Sequence, residues 1–435
     1  MRIKTFFFLG LFLSSIAAEA QVKDTISIMT YNLLYYREIT SFCTASNNSV
    51  STKETAMETI VDFTLPDIIV VNEMGGSSVV NAFRLASNSL NQNGRNYYSF
   101  ANFSGSASQG IVNMIYYDNR KFVLESQTLI DEDKNNNPLV RVIDIYTLRY
   151  IDTNLAIHQD TTHIHVIAAH LKAGNTATDR AERALATDTL MAYLAATNAS
   201  GNYVMAGDFN LYNSNEAGYQ NLINYSVPAV RFYDPINVPG PWSNDSRFAI
   251  THTQSTRTTG GCAAGGGMDD RFDFILASDE IMNNTDKMRY IPNTYKALGQ
   301  DGNRFNGSIT NPTNNSVPTA VSQALFTMSD HLPVLMDVEV SLPLLISLDE
   351  NSQSILSTDI LFQNPSDGRL SIRFKTNHSI QLLEVQDLSG RVVARQSISS
   401  NNNIEVDLSF LSKGTYFLRF TQSDAYPVVK KWIKL

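Results

Sequence analysis

Cysteine is nearly absent from this sequence, because Cys43 and Cys262 are the only two among 435 residues. Two cysteines are too few for a disulfide framework or for a cysteine-rich zinc site. In an oxidising compartment one disulfide between them is permitted, and the sequence leaves that bridge open. The sequence also lacks a P-loop, a G-x-S-x-G nucleophile elbow and a dinucleotide-binding fingerprint, so those three chemistries have no anchor here.

Basic charge is scarce as well, since 33 lysines and arginines stand against 42 acidic residues, for a net charge of −9. The deficit lies in residues 21–350, where 21 basic and 34 acidic side chains give −13, whereas residues 351–435 carry +3. A domain this acidic lacks the broad basic surface of a protein that stays on nucleic acid. It remains compatible with turnover of phosphate substrates when bound cations reverse the local field.

Long apolar runs are missing apart from one near the start of the chain. An apolar run of about a dozen residues follows Arg2 and Lys4 and precedes Ala18-Glu19-Ala20, which predicts a secretory signal peptide over residues 1–20. This run is too short to span a membrane, and no later segment approaches the roughly 20 apolar residues that a spanning helix needs. We therefore expect an exported protein without an integral membrane segment.

Residues 21–342 are predicted to form an α/β domain of packed layers. Residues 51–63 and 177–196 have the composition and apolar spacing of helices. Seven stretches have the length and β-branched content of strands, namely 25–32, 67–74, 111–118, 163–170, 203–210, 271–278 and 334–340. Tracts rich in Asn, Gly and Thr at 254–267 and 301–320 are expected to be long surface loops.

The pattern changes after a predicted linker at 343–354. In residues 355–435, six short apolar stretches recur at about ten-residue intervals, separated by turn signals such as NPSDG, DLSG and SKG. Short strands spaced in this way predict a small all-β sandwich. No residue in this second domain has the character of a catalytic group.

Polar side chains recur near the ends of the predicted strands in the first domain. They are Asn32, Glu73, His170, Asp208, Asn210, Asp273, Asp330 and His331. Open α/β sheets place their sites at the carboxyl ends of strands, and two side chains that are two apart, such as Asp208 and Asn210, share one strand face. Carboxylates and amides are hard oxygen donors suited to Mg²⁺, Mn²⁺ or Ca²⁺. With two histidines and no nucleophile elbow, they indicate metal-assisted hydrolysis by water.

The strings that contain these residues resemble, in order, the motifs of the endonuclease/exonuclease/phosphatase superfamily. They are YN at 31–32, NEM at 72–74, AHLKAG at 169–174, GDFN at 207–210, RFDFIL at 271–276 and SDHLPV at 329–334. The resemblance covers residues 24–340 and implies the DNase-I-like fold, a four-layer α/β sandwich of two packed β-sheets flanked by helices. One departure is Asn72, because these enzymes usually have glutamine there, and it puts only a contact behind the metal carboxylate in doubt.

The resemblance also implies which residues bind the metal and the substrate. Glu73 is implied to be the main metal ligand, with Asn32 and Asp330 beside it. The ion is expected to be Mg²⁺, or Mn²⁺ or Ca²⁺, and the number of ions stays open. Lys172 and Arg183 are further candidates for contact with the substrate phosphate.

The remaining residues of the set are implied to act on water and phosphate. Asp208 orients or deprotonates the attacking water, and Asn210 holds Asp208 and a phosphate oxygen. Asp273 fixes the tautomer of His331, while His170 contacts the phosphate from the opposite side. Whether Asp208 or His331 is the base stays open.

We therefore predict a secreted, divalent-metal-dependent phosphodiester hydrolase that acts as a monomer, first of all an extracellular nuclease on DNA or RNA. One alternative is a sphingomyelinase-like or inositol-phosphatase-like enzyme acting on lipid or small phosphate esters. A second alternative is a non-catalytic surface adhesin. The sequence contains neither an apolar lipid-docking hairpin nor a basic pocket for an inositol polyphosphate.

The C-terminal domain resembles the sorting domain of type IX secretion. The strings that carry the likeness are NPSDGRLSIRF, VQDLSGRVV, LSKGTYFLRF and VVKKWIKL, within residues 355–435. The resemblance implies handling by the type IX secretion machinery and a secreted or cell-surface location. The alternative is a carbohydrate-binding or surface-binding β module.

Overall fold

The computed structural model of the protein describes residues 21–104, 110–152, 155, 160–343, 360–375, 380–388, 390–398, 403–422 and 427–435. The chain divides into two compact units, Met1–Leu344 and Leu345–Leu435. The expected signal peptide, and the expected linker beyond residue 343, lie outside the described residues and stay predictions. Among the described helices, none combines the length and apolar character needed to cross a membrane.

The first unit contains alternating strands and helices. Its strands are β1 (Gln21–Tyr36), β2 (Ile68–Gly75), β3 (Tyr98–Phe100), β4 (Ile111–Asp118), β5 (Phe122–Glu132), β6 (Pro138–Tyr150), β7 (His163–His170), β8 (Asn202–Asp208), β9 (Phe232–Tyr233), β10 (Asp273–Ser278), β11 (Met288–Tyr290), β12 (Lys296–Ala297) and β13 (Val334–Pro343). Its helices are α1 (Val50–Thr64), α2 (Val80–Leu85), α3 (Ala177–Ala196), α4 (Ala217–Ile223), α5 (Asp279–Asn283) and α6 (Thr319–Met328), with shorter helical turns at Ala86–Leu90, Pro228–Val230 and Ser246–Thr251.

These strands form two sheets that pack face to face. The first sheet has the order β11-β13-β1-β2-β4-β3 with β12 also paired to β13, and the second has the order β5-β6-β7-β8-β10-β9. Each sheet has one parallel pair, β1 with β2 and β7 with β8, and its other pairs are antiparallel. Val70 of the first sheet and Val166 and Ala206 of the second belong to one shared apolar core.

Helices cover the outer faces of both sheets. Met57 of α1 and Leu325 of α6 pack into the same core as the first sheet, whereas α3 places Leu190 and Met191 in a second core on the other sheet. Helix α3 begins after Thr176, whose hydroxyl and the Asp179 carboxylate cap each other's backbone N–H groups. The order helix, sheet, sheet, helix confirms the predicted four-layer sandwich.

The sequence located seven of the buried strands and missed both the hairpin of β5 and β6 and the short strands at the sheet edges. The seven predicted strand stretches correspond to β1, β2, β4, β7, β8, β10 and β13, and the two predicted helices correspond to α1 and α3. The hairpin of β5 and β6 was not predicted, because half-buried and polar side chains interrupt its apolar alternation. Short edge strands such as β9 and β12 carry too few residues to show a period.

Two expectations about local structure are corrected. The tract at 254–267 and the tract at 301–320 up to the start of α6 at Thr319 are loops, but they are not confined to the surface, since Thr256 and Asn314 are buried within them. Their polar groups are paired inside the domain. For example, the Asn314 amide donates to the carbonyls of Gly299 and Ile309.

The described part of the second unit is entirely β. It contains β14 (Ile360–Leu361), β15 (Arg369–Phe374), β16 (Ile380–Gln386), β17 (Val392–Ser397), β18 (Asn403–Asp407), β19 (Gly414–Gln422) and β20 (Val428–Lys434). They form two antiparallel sheets, β14-β15-β18 and β17-β16-β19-β20, around a core that includes Leu370, Phe420 and Trp432. The predicted small β-sandwich is confirmed.

Candidate active site

The parallel strands of both sheets end at one edge of the first unit. Asn32 of β1 is level with Asn72 of β2, and His170 of β7 pairs with Asp208 of β8. The antiparallel strand β10 begins at this edge, with Asp273 opposite Asp208. Strand β13 also begins here, at Val334, three residues after His331 of the Asp330-His331 pair. The fold therefore collects the predicted residues from six strands at one place.

The carboxylate of Asp208 lies at the centre of this group and is 2% exposed. Its Oδ2 accepts a hydrogen bond from Asn32 Nδ2 at 3.0 Å, and it lies 3.4 Å from His170 Nε2 and 3.7 Å from His331 Nε2. Burial raises the pKa of Asp208, but interactions with His331 and His170 outweigh it and hold the pKa below its usual range. A buried carboxylate between two imidazoles is thus kept ionised.

The ring of His331 is fixed from its opposite side. Its Nδ1 lies 2.7 Å from Asp273 Oδ2, and Asp273 is fully buried. A carboxylate at Nδ1 places the proton there and directs Nε2 towards Asp208. Burial lowers the pKa of His331, but Asp273 and Asp208 outweigh it and raise the pKa well above its ordinary value. The expected contact between Asp273 and His331 is present in the structure.

The carboxylate of Glu73 is held at the neighbouring strand end. Its Oε1 accepts from Asn32 Nδ2 at 3.1 Å, and its Oε2 accepts from the backbone N–H of Tyr35 at 3.1 Å. Glu73 has φ of 55°, a left-handed conformation that is uncommon for a residue other than glycine. Strained backbone of this kind persists only where the surroundings hold it, and it is concentrated at functional sites.

Asp330 presents an oxygen without a partner to the same region. Its Oδ2 accepts from the backbone N–H of Ala264 at 2.7 Å, whereas its buried Oδ1 has no hydrogen-bond partner among the described residues. Burial raises the pKa of Asp330, His331 opposes this change, and the negative charge of Glu73 adds to it. Two carboxylates that repel each other, one with an orphaned oxygen, fit a site for a divalent cation.

Two groups of donors lie close together beside this pair, and neither group includes Asp330. Carboxylate oxygens and imidazole nitrogens of Glu73, His170 and Asp208 lie within 4.8 Å of one another, and so do those of Asp208, Asp273 and His331. The side chain of Asn32 was expected to be a metal ligand, but it makes hydrogen bonds within the site. Its amide nitrogen donates to both Glu73 and Asp208, and its oxygen accepts from the backbone N–H of Leu34. In this structure Asn32 orients the two carboxylates.

Asn72, the departure from glutamine, contacts the strand that carries Asp208. Its Oδ1 accepts from the backbone N–H of Asp208 at 3.0 Å, and its Nδ2 donates to Asn113 Oδ1 at 2.8 Å. The amide therefore bridges the two sheets directly behind the site. Gly207, in the GDFN string, permits this close approach, since a Cβ there would lie 1.9 Å from the Ala169 carbonyl oxygen.

Asn210 does not share the strand face expected for it. Strand β8 ends at Asp208, and Asn210 has φ of 50°, so the chain has already turned out of the strand. Its backbone N–H donates to Asp208 Oδ1 at 3.0 Å, and its side chain donates to the Leu171 carbonyl at 3.2 Å. Asn210 thus supports Asp208 through its main chain, which corrects the predicted arrangement of the two side chains.

The phosphate contact expected of Arg183 is also corrected. Arg183 is fully buried, its Nη2 lies 2.6 Å from Glu216 Oε2, and its Nη1 donates to the carbonyls of Lys172 and Gly174. It therefore holds the segment that follows His170. Lys172 is partly exposed, but its ammonium lies 2.7 Å from Asp179 Oδ1 and is paired there.

Two residues at the site were missed from the sequence. Arg141 of β6 donates to the Leu171 carbonyl at 2.7 Å, and its positive charge acts on Glu73 and Asp208. Gln254 Nε2 lies 2.7 Å from His331 Nε2. Arg141 was hidden because β6 was not recognised. Gln254 lies in an irregular loop, which gives no periodic signal.

Residues 361–435 match the family described as the secretion system C-terminal sorting domain. The match agrees with the resemblance stated above and marks a protein sorted by type IX secretion, so the protein is secreted or attached to the cell surface. A comparison of the chain with curated protein sequences finds no significant match.

Several solved structures resemble the chain at low sequence identity. An endonuclease/exonuclease/phosphatase family protein from Bacteroides thetaiotaomicron is 13% identical, with a TM-score of 0.46 over 74% of this chain and 100% of its own. The human Nocturnin catalytic domain is 14% identical, with a TM-score of 0.45 over 73% and 97% of the two chains. Truncated Caenorhabditis elegans TDP2 is 16% identical, with a TM-score of 0.42 over 73% and 97%.

Proposed function

We propose that the protein is a secreted, divalent-metal-dependent phosphodiester hydrolase that cleaves nucleic acid. The observation that carries the proposal is the position of the Asp208 carboxylate, which lies between the imidazoles of His170 and His331. A carboxylate flanked by two imidazoles can hold a water molecule and a phosphate group side by side. The absence of a nucleophile elbow from the sequence leaves water as the attacking group.

The donors at the site support a requirement for a cation. Glu73 and Asp330 would hold the ion, and Asn32 keeps Glu73 in position. When bound there, a divalent cation would supply Lewis-acid polarisation of a phosphoryl oxygen and would offset negative charge on the phosphate. In a first unit with a strong negative charge, it also gives an anionic substrate a favourable place to bind.

The chain's own residues then divide the proton transfers. Asp208 orients the water whose oxygen forms the new bond to phosphorus and accepts the proton that this water loses, and Asp273 keeps His331 Nε2 directed at the same point. Burial and Arg141 lower the pKa of His170, so this neutral imidazole on the other side of Asp208 donates a hydrogen bond to the leaving oxygen, which takes its proton from solvent as its bond to phosphorus breaks. Arg141, half-buried beside them, adds positive charge for the phosphate.

The acidic first unit and the secreted location support a degradative nuclease. Such an enzyme must release its products, whereas a protein that remains bound to duplex DNA needs a broad basic surface. The test is release of acid-soluble nucleotides from DNA and RNA by the full-length protein with Mg²⁺, Mn²⁺ or Ca²⁺, and with EDTA. We expect release that requires a divalent cation and stops with EDTA.

Variants of site residues are compared with variants of chemically similar residues away from the site. Glu73→Gln and His331→Ala should each lower the rate by about 10²- to 10⁴-fold. Glu125→Gln and His163→Ala change a carboxylate and an imidazole that pair with each other on β5 and β7, and both should keep full activity. Activity that survives in Glu73→Gln and His331→Ala would refute the site. A folded protein that does not cleave nucleic acid would instead make sphingomyelin and small phosphate esters the next substrates.

A further inference from the structure

An aromatic pair adjoins Glu73 and has no part in the proposed chemistry. The rings of Tyr35 and Phe42 meet edge to face, with centroids 5.4 Å apart. Phe42 is 48% exposed, and Tyr35 is half-buried. The backbone N–H of Tyr35 donates to Glu73 Oε2, so one member of the pair is in direct contact with the proposed metal carboxylate.

The backbone that carries Tyr35 is held in an unusual conformation. Leu34 and Tyr35 have φ of 46° and 49°, both left-handed. The buried ammonium of Lys53 donates to the carbonyls of Leu33 and Leu34 at 2.6 Å each, and Asn48 Nδ2 donates to those of Leu34 and Tyr35 at 3.1 Å. Two side-chain donors thus hold a strained segment through four hydrogen bonds, which fixes where Tyr35 lies.

The loop that carries Phe42 is fixed as well. The next residue, Cys43, is bonded to Cys262, and both sulfurs are buried with Leu34 and Ala263. Phe42 therefore exposes its ring from a backbone that is anchored on one side by a disulfide. A fixed aromatic ring loses little conformational entropy when a ligand covers it, so contact with a flat apolar group is favourable.

We infer that Tyr35 and Phe42 form a subsite for a nucleobase attached to the scissile phosphate. This inference rests on the proposed function and names the substrate class of the same site. Because the first unit is acidic, it cannot gain affinity from a broad set of phosphate contacts. Stacking on aromatic rings supplies affinity that does not depend on net charge and accepts any base.

A lipid surface fits this loop less well. Ile39 is 72% exposed and is the other exposed apolar side chain of this loop, but Thr40 and Ser41 separate it from Phe42, and Arg37 and Glu38 precede it. A loop that enters a membrane presents a continuous apolar face instead. We therefore assign the aromatic pair to the substrate base and treat lipid binding as an opposing outcome of the test.

The test compares two ligands that share a phosphate and differ in the base, thymidine 5′-monophosphate and 2-deoxyribose 5-phosphate. The dissociation constants are measured by calorimetry on the full-length protein with Mg²⁺. We expect the nucleotide to bind about 5- to 100-fold more tightly, and Phe42→Leu to remove most of that preference. Phe83→Leu, which changes a ring 54% exposed on α2, is the matched control and should keep the preference.

Equal affinity for the two ligands, or an unchanged preference in Phe42→Leu, would overturn the inference. Phe42-dependent binding to phosphatidylcholine vesicles without a preference for the nucleotide would overturn it in favour of lipid. Cleavage of DNA in the same preparations separates the two proposals. DNA cleavage without base preference leaves the hydrolase and removes the subsite, whereas base preference without cleavage leaves the subsite and removes the hydrolase.

Discussion

The disulfide between Cys43 and Cys262 should contribute strongly to the stability of the first unit. It joins residues 219 positions apart and is buried, with exposures of 0% and 9%. In the chain-entropy treatment, closing a loop of this length in the unfolded state stabilises the folded state by about 5 kcal/mol. Engineered and natural bridges commonly give less, so we expect Cys43→Ala with Cys262→Ala to lower the free energy of unfolding by about 3–5 kcal/mol.

The measurement is urea unfolding followed by tryptophan fluorescence, because Trp242 is buried in the first unit and Trp432 in the second. The transition of the first unit should move to lower urea in the double variant. Reductant should move the unmodified protein to the same midpoint and leave the double variant unchanged. Without reductant, a thiol-alkylating reagent should add no mass to the denatured protein.

The same bridge should also affect the site. Cys262 lies two residues before Ala264, whose backbone N–H donates to Asp330 Oδ2. Loss of the bridge releases this loop and with it a hydrogen bond to a proposed metal ligand. Equal unfolding midpoints and equal slopes for the two proteins would refute the reasoning, and so would two alkylated thiols in the unreduced protein.

Three further predictions concern buried charges. Asp273→Asn should lower the rate of phosphodiester cleavage by about 10²- to 10⁴-fold, and a rate within twofold of the original in the folded variant would contradict its role. Burial raises the pKa of Asp144 to about 6 from 3.8, so its contribution to stability is present below pH 4 and is lost as pH rises through 6. Between pH 4 and pH 8 the free energy of unfolding in urea should therefore change by about 2–3 kcal/mol in favour of Asp144→Asn relative to the original, and parallel pH profiles for the two proteins would contradict this cause. Arg183→Met should destabilise by about 3–5 kcal/mol in thermal unfolding because Glu216 stays buried without a partner, and Glu216→Met added to it should restore part of the loss.

The central fold could be predicted because its strands are buried on both faces. Stretches such as Ile68–Val71 are continuous apolar runs, and their polar ends show where each strand leaves the core. The hairpin of β5 and β6 has exposed and half-buried positions, so its side chains do not follow a clear period of two. Missing β6 concealed Arg141, whose charge reaches the site only because β6 lies beside β7.

The types of the site residues could be predicted, but not their geometry. Carboxylates and imidazoles at strand ends indicated the chemistry, whereas the left-handed turn at Asn210 depends on the path of the chain after β8. The burial of Arg183 likewise could not be predicted from the sequence. Its position at the start of a predicted helix agreed with a phosphate contact, yet helix packing places it inside, against Glu216. Burial of a charged side chain depends on a partner 33 residues away, which no local pattern reveals.

The arrangement of the site makes it depend on the alignment of the two sheets. Asn32 and Glu73 come from the first sheet, whereas His170, Asp208 and Asp273 come from the second. Asn32 therefore spans the interface when it donates to both Glu73 and Asp208. Behind Asn32, the Asn72 side chain accepts from the backbone of β8 and donates to Asn113. Asn113 in turn donates to Asp144 of the second sheet. Because the amide side chains are short, these buried hydrogen bonds can form in only one alignment of the two sheets. In that alignment the site residues of the first sheet lie beside those of the second.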